Sequence, residues 1–106
     1  MVQPQKSRRI QLQQVLEEIS PELHVYFQPP ESIQLSYPCI IYTVAPGKKQ
    51  YASNDIYHYK QKYLVTLIYN DPDSDIPTKV ESLQYCQREQ HMVVQNLYHD
   101  VFQLFF

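Results

Sequence analysis

Asp71, Asp73 and Asp75 share the alternating spacing with which a calcium-binding loop opens, so metal coordination is the first chemistry to weigh. The later positions of such a loop do not follow. A loop beginning at Asp71 needs glycine where Ile76 stands and a bidentate glutamate where Ser82 stands, and Pro72 and Pro77 stiffen the backbone that would wrap the ion. The cluster reads instead as a turn into a helix, whose first N–H groups and dipole favour acidic residues and proline. His24, His58, His91 and His99 include no pair at the i, i+4 spacing of a helical metal site. His99 and Asp100 are neighbours, and neighbours on a strand point to opposite faces. Cys39 and Cys86 lack a CxxC partner and a histidine at zinc-finger spacing. Both stand in apolar segments that disfavour the thiolate, so they read as reduced core thiols. No enzyme activity, metal or cofactor is expected.

A different chemistry is suggested by Tyr57-His58-Tyr59-Lys60-Gln61-Lys62-Tyr63, which interleaves rings and cations as single-stranded nucleic-acid surfaces do. On a strand, Tyr57, Tyr59, Gln61 and Tyr63 would share one side and His58, Lys60 and Lys62 the other. That pattern equally describes a packed aromatic side and a solvated basic side, or a contact between subunits. The net charge of −2 over 106 residues gives no whole-domain footprint for nucleic acid or anionic lipid, so any DNA contact must be local. A single glycine, Gly47, excludes loops that cradle phosphate through closely approaching backbone. Ten tyrosines and no tryptophan suit a protein with much amphipathic contact surface.

These side chains must be positioned by one α+β domain spanning residues 1–106, with the first six residues expected to be flexible. The length fits one core, and 43% hydrophobic against 19% charged residues lies far from a disordered composition. Leu12, Val15, Leu16 and Ile19 fall on one face of a helix over Ser7 to Ile19, which Pro21 ends. Val25-Tyr26-Phe27, closed by Pro29 and Pro30, reads as a brief edge strand. Cys39 to Val44 reads as a central strand that Pro46-Gly47 terminates, and Tyr63 to Tyr69 as the longest strand, apolar on both faces. A short helix is expected over Thr78 to Leu83, a turn near Asn96-Leu97, and a last strand over Val101 to Phe106. The polar start and the lack of any membrane-length apolar run argue for a protein made in the cytoplasm and against a membrane partner. The resulting fold is an antiparallel or mixed sheet packed with an N-terminal amphipathic helix and a short second helix.

Four strings, Val25 to Ser32, Tyr37 to Tyr42, Asn70 to Pro77 and Asn96 to Phe102, in this order resemble small tail proteins of long-tailed bacteriophages. Members of that family act as tail completion, tail terminator or head-tail joining proteins. The resemblance, which covers Leu16 to Phe106, implies a non-enzymatic virion protein that forms a homo-oligomeric, hexameric ring at the head-proximal end of the tail tube. It implies the major tail protein and a head completion protein as partners, non-specific contact with packaged DNA, and assembly in the host cytoplasm into the virion tail. The family specifies no catalytic or metal residue. From composition, Tyr51, Tyr57 and Tyr59 in the stretch Lys48 to Lys62 are the expected subunit contact. The alternative is a small cytoplasmic nucleic-acid-binding module using Tyr57 to Tyr63.

Overall fold

A computed structural model describes residues 8–45 and 60–106. The first helix, α1 (Arg8–Glu17), buries Leu12 and Leu16, the inner pair of the expected apolar stripe. Five strands follow around a second helix: β1 (His24–Phe27), β2 (Cys39–Val44), β3 (Lys62–Tyr69), α2 (Ile76–Glu81), β4 (Cys86–Val94) and β5 (Leu97–Phe105). The strands form a mixed sheet in the order β1-β2-β3-β5-β4. β1 runs parallel to β2, and every other pairing is antiparallel. The expected α+β class, a mixed sheet with an N-terminal helix and a short second helix, is the observed one.

The neighbouring pair Cys39 and Ile68 is buried on one side of the sheet, and the main core cluster lies on the other. Ile40 and Tyr42 from β2, Tyr63, Val65 and Leu67 from β3, and Phe102 and Leu104 from β5 alternate onto that side and meet Leu12 and Leu16. Ile76 and Val80 of α2 join the same cluster, so both helices cover one face. α1 is fastened by a polar bridge as well as by burial. Gln13 Nε2 donates to the Val25 carbonyl at 3.2 Å, and its Oε1 accepts from the Tyr42 hydroxyl, tying the helix to both β1 and β2. Tyr42 is fully buried, and this bond satisfies its polar tip.

Several expectations need correction. β3 is not the longest strand: it has eight residues, against nine each in β4 and β5. The turn joining β4 and β5 is Gln95-Asn96, both with positive φ (51° and 66°), one residue earlier than Asn96-Leu97. That pair of conformations is the hairpin turn matching the twist of its strands. The C-terminal run is paired into the sheet as expected, but its strand β5 starts at Leu97, four residues before Val101, and lies between β3 and β4. α2 starts two residues before Thr78, with Pro77 in its first turn. Asp75 occupies the cap position without a side-chain capping bond; the Ser74 hydroxyl accepts the Ile76 N–H at 3.2 Å, and Asp75 instead faces Lys79 at 3.4 Å. The first six residues and the Pro46-Gly47 turn lie outside the described residues.

Ser74→Ala should therefore cost about 0.5–2 kcal/mol, and Asp75→Ala no more than about 0.5 kcal/mol, since it removes only an exposed i, i+4 pair. Phe102→Ala, which empties the middle of the core, should cost about 3–5 kcal/mol. Denaturant midpoints of the three variants give this ranking directly, and equal losses for Ser74→Ala and Asp75→Ala would refute the capping assignment.

Candidate functional site

Two constellations gather polar or charged groups against rings. The first centres on Asp100, which is fully buried on the core face of β5. The Tyr69 hydroxyl donates to its Oδ2 at 2.8 Å from β3, and His91 Nδ1 meets its Oδ1 from β4. Tyr98 stacks between them, 5.2 Å from the Tyr69 ring and 6.0 Å from the His91 ring. Burial, followed by the bond to Asp100 and its charge, pushes the Tyr69 hydroxyl up to about 12. A carboxylate buried without partners would be costly, and here both oxygens are engaged.

The expectation that His99 and Asp100 face opposite ways holds: Asp100 points into the core, while His99 Nδ1 lies 3.2 Å from the Leu97 carbonyl. The His91 partnership was missed, although the sequence carried a signal for it. A two-residue turn at Gln95-Asn96 pairs position 94 with 97, and hence 91 with 100. Placing the turn one residue later shifts the register by two, which sets Val93 opposite Asp100 and moves His91 opposite Phe102.

The second constellation is a cleft of about 270 Å³ where the start of α1 meets the end of β5 and the segment leading into β4. Leu12, Val15, Leu83 and Leu104 form its apolar floor. Two cation-on-ring pairs stand at its rim: the Arg8 guanidinium lies 5.1 Å from the Phe106 ring centre, and Lys60 Nζ 5.0 Å from that of Tyr85. Each cation lies over the face of a ring, whose negative face attracts it. Arg9, over Phe27 at 4.7 Å, extends the positive rim along α1. Tyr85 has φ of 61°, an uncommon conformation for a bulky residue, and its carbonyl accepts the Phe105 N–H at 3.1 Å. This cleft can accept an anionic group attached to a small apolar body. No spacing rule could assemble it, because Arg8, Lys60, Tyr85 and Phe106 come from four separate parts of the chain.

Of the basic-aromatic segment, Lys60 joins this rim, Lys62 lies on the sheet face away from the core, and Tyr63 is a core residue on the opposite face. Burial, then Tyr42, raises the Tyr63 hydroxyl, while Arg9 and Arg8 oppose the rise. Tyr51, Tyr57, Tyr59 and His58 lie outside the described residues. Asp71 is used in its own turn, where Oδ1 accepts the Asp73 N–H at 2.9 Å. Among the described residues no group of three His, Cys, Asp or Glu side chains could hold a metal ion, and no helix is long and apolar enough to cross a membrane. Cys39 is buried and Cys86 half-buried; both are free. Desolvation pushes each thiol up to about 11, with Glu81 adding to the rise at Cys86. Comparison of the chain with protein families, with curated proteins and with solved structures finds no match.

Because Tyr69 ionises less readily folded than unfolded, its contribution to stability is complete below pH 10 and is lost as pH rises through about 12. Wild type should lose denaturant resistance over that window more steeply than Tyr69→Phe, which starts less stable and lacks the step. Parallel pH profiles for both proteins would discount the Asp100 bond. Native alkylation should likewise be slow at both cysteines near neutral pH, with Cys39 the slower, and become fast on denaturation.

Proposed function

We propose that this protein is a structural assembly factor of a bacteriophage virion, a tail terminator or tail completion protein that closes into a ring at the head-proximal end of the tail tube. The observation that carries this reading is a sheet that, among the described residues, has both helices on one face and a partly exposed apolar row on the other. Both helices and the main core cluster lie on one side, while on the other only Cys39 and Ile68 are buried among the described hydrophobic strand residues. On the other, cross-strand rows place Ile41, Thr66 and Val101 side by side, with Leu64 and Val94 exposed. An apolar, partly exposed sheet face of this kind is what a docking partner covers, and a domain this small gains stability when an assembly buries it. The four strings between Val25 and Phe102 supply the family within which that role falls. The major tail protein and a head completion protein are the partners this reading names, and packaged DNA passes beside the ring.

A second reading, a nucleic-acid-binding module, draws on Arg8, Arg9 and Lys60 meeting rings at one end of the molecule. Salt-dependent binding to generic DNA by a monomer would favour it.

In a phage deleted for this gene, lysates should contain full heads beside unjoined tails, and added purified protein should restore joining. Normal numbers of joined virions without the gene would overturn the assignment. Leu64→Lys, on the bare face, should keep stability within about 0.5 kcal/mol of wild type yet fail to restore joining. Full restoration by this variant would remove the face from the contact.

A further inference from the structure

Among the described residues, several charges gather by sign at the two ends of the sheet. β3 begins at Lys62 and ends at Tyr69, and its rise of about 3.3 Å per residue sets its two ends roughly 25 Å apart. At the Lys62 end, opposite Phe105 of β5, stand Arg8, Arg9 and Lys60. At the Tyr69 end the chain passes at once into Asp71, Pro72 and Asp73, all exposed. α1 runs between the same two ends, from Arg8 beside Phe106 towards Glu17, shortly before His24. It has no acidic residue in its first turn and no basic residue in its last, the reverse of what the helix dipole favours. The helix's own stability does not account for this placement.

The two ends are also complementary in shape. Asp71 to Ser74 is a preformed turn: the Ser74 N–H bonds to the Asp71 carbonyl at 3.1 Å, and the Asp73 N–H to Asp71 Oδ1 at 2.9 Å. It presents a proline ring flanked by carboxylates. The opposite cleft presents an apolar floor flanked by cations. Among the described residues, neither Asp71 and Asp73 nor Arg8 and Lys60 have an oppositely charged partner.

We infer that the turn Asp71 to Ser74 of one copy docks into the Arg8/Lys60 cleft of the next, so that the subunits of the assembly join head to tail. Pro72 sits on the apolar floor, and the Asp71 and Asp73 carboxylates meet the Arg8 guanidinium and Lys60 ammonium. Exposed ion pairs alone contribute little, and here the burial of Pro72 against the floor both adds apolar contact and excludes water from the pairs. Such a contact uses two different patches, so repetition produces a ring if the rotation between copies closes and a filament if it does not. The inference rests on the assembly reading above and names its contact.

A charge exchange tests it. Arg8→Glu/Lys60→Glu makes both ends acidic; Asp71→Asn/Asp73→Lys makes both basic at the contact, and asparagine keeps the acceptor that orders the turn. Native mass spectrometry and sedimentation should show wild type associating and each variant alone weakened at least about tenfold. An equimolar mixture should recover oligomers containing both proteins, since every contact in an alternating array is again attractive. Recovery also establishes that both variants are folded. Association of the single variants at wild-type strength, or no recovery on mixing, overturns the contact while leaving self-assembly intact. A wild type that stays monomeric at every concentration overturns the contact and the assembly reading together. If that monomer binds duplex DNA and Arg8→Glu/Lys60→Glu does not, the cleft belongs to nucleic acid instead.

Discussion

A single buried carboxylate constrains the central part of this sheet. Asp100 has no access to water, so both of its oxygens must find partners inside the protein. They find them on the two strands that flank β5, Tyr69 on β3 and His91 on β4. Either bond requires a particular register: Leu67 opposite Asp100 on one side and His91 opposite it on the other. A slip of one residue would turn Asp100 to the other face and leave Phe102 and Leu104 without a core. The carboxylate thus selects among strand pairings that hydrophobic burial alone would separate less sharply.

The register has consequences beyond the core. It fixes which residues reach the face without helices, and it carries β5 to the point where Phe106 meets Arg8. The cleft exists because four chain segments converge there: the start of α1, the approach to β3 through Lys60, the left-handed turn at Tyr85 that leads into β4, and the end of β5. Its cations rest on rings rather than on carboxylates, which leaves positive charge facing outward at one end of a molecule whose net charge is negative. The opposite end carries its carboxylates on a turn ordered by its own hydrogen bonds.

Much of the architecture was legible in the sequence where one residue type repeats on one face. Leu12 and Leu16 marked α1, and the β-branched and aromatic runs marked β2 and β3, because the periods of helix and strand are local properties of the backbone. The first part of β4 was not legible. Gln87-Arg88-Glu89-Gln90 is polar, exposed or half-exposed, and interrupted by a register shift between Arg88 and Gln90. An edge strand with one wet face needs no apolar alternation, and charged side chains there protect the edge from unwanted pairing.

The sequence by itself determined the α+β class, the burial of Cys39 and the turn from Asp71 into α2, since each follows from neighbouring residues. Only the tertiary structure decided that His91 belongs to Asp100, that β5 is an interior strand, and that Arg8, Lys60, Tyr85 and Phe106 surround one cleft. Those are contacts between residues distant in the chain. Their geometry depends on strand order and on a turn whose position must be known to the residue, and no local propensity carries that information.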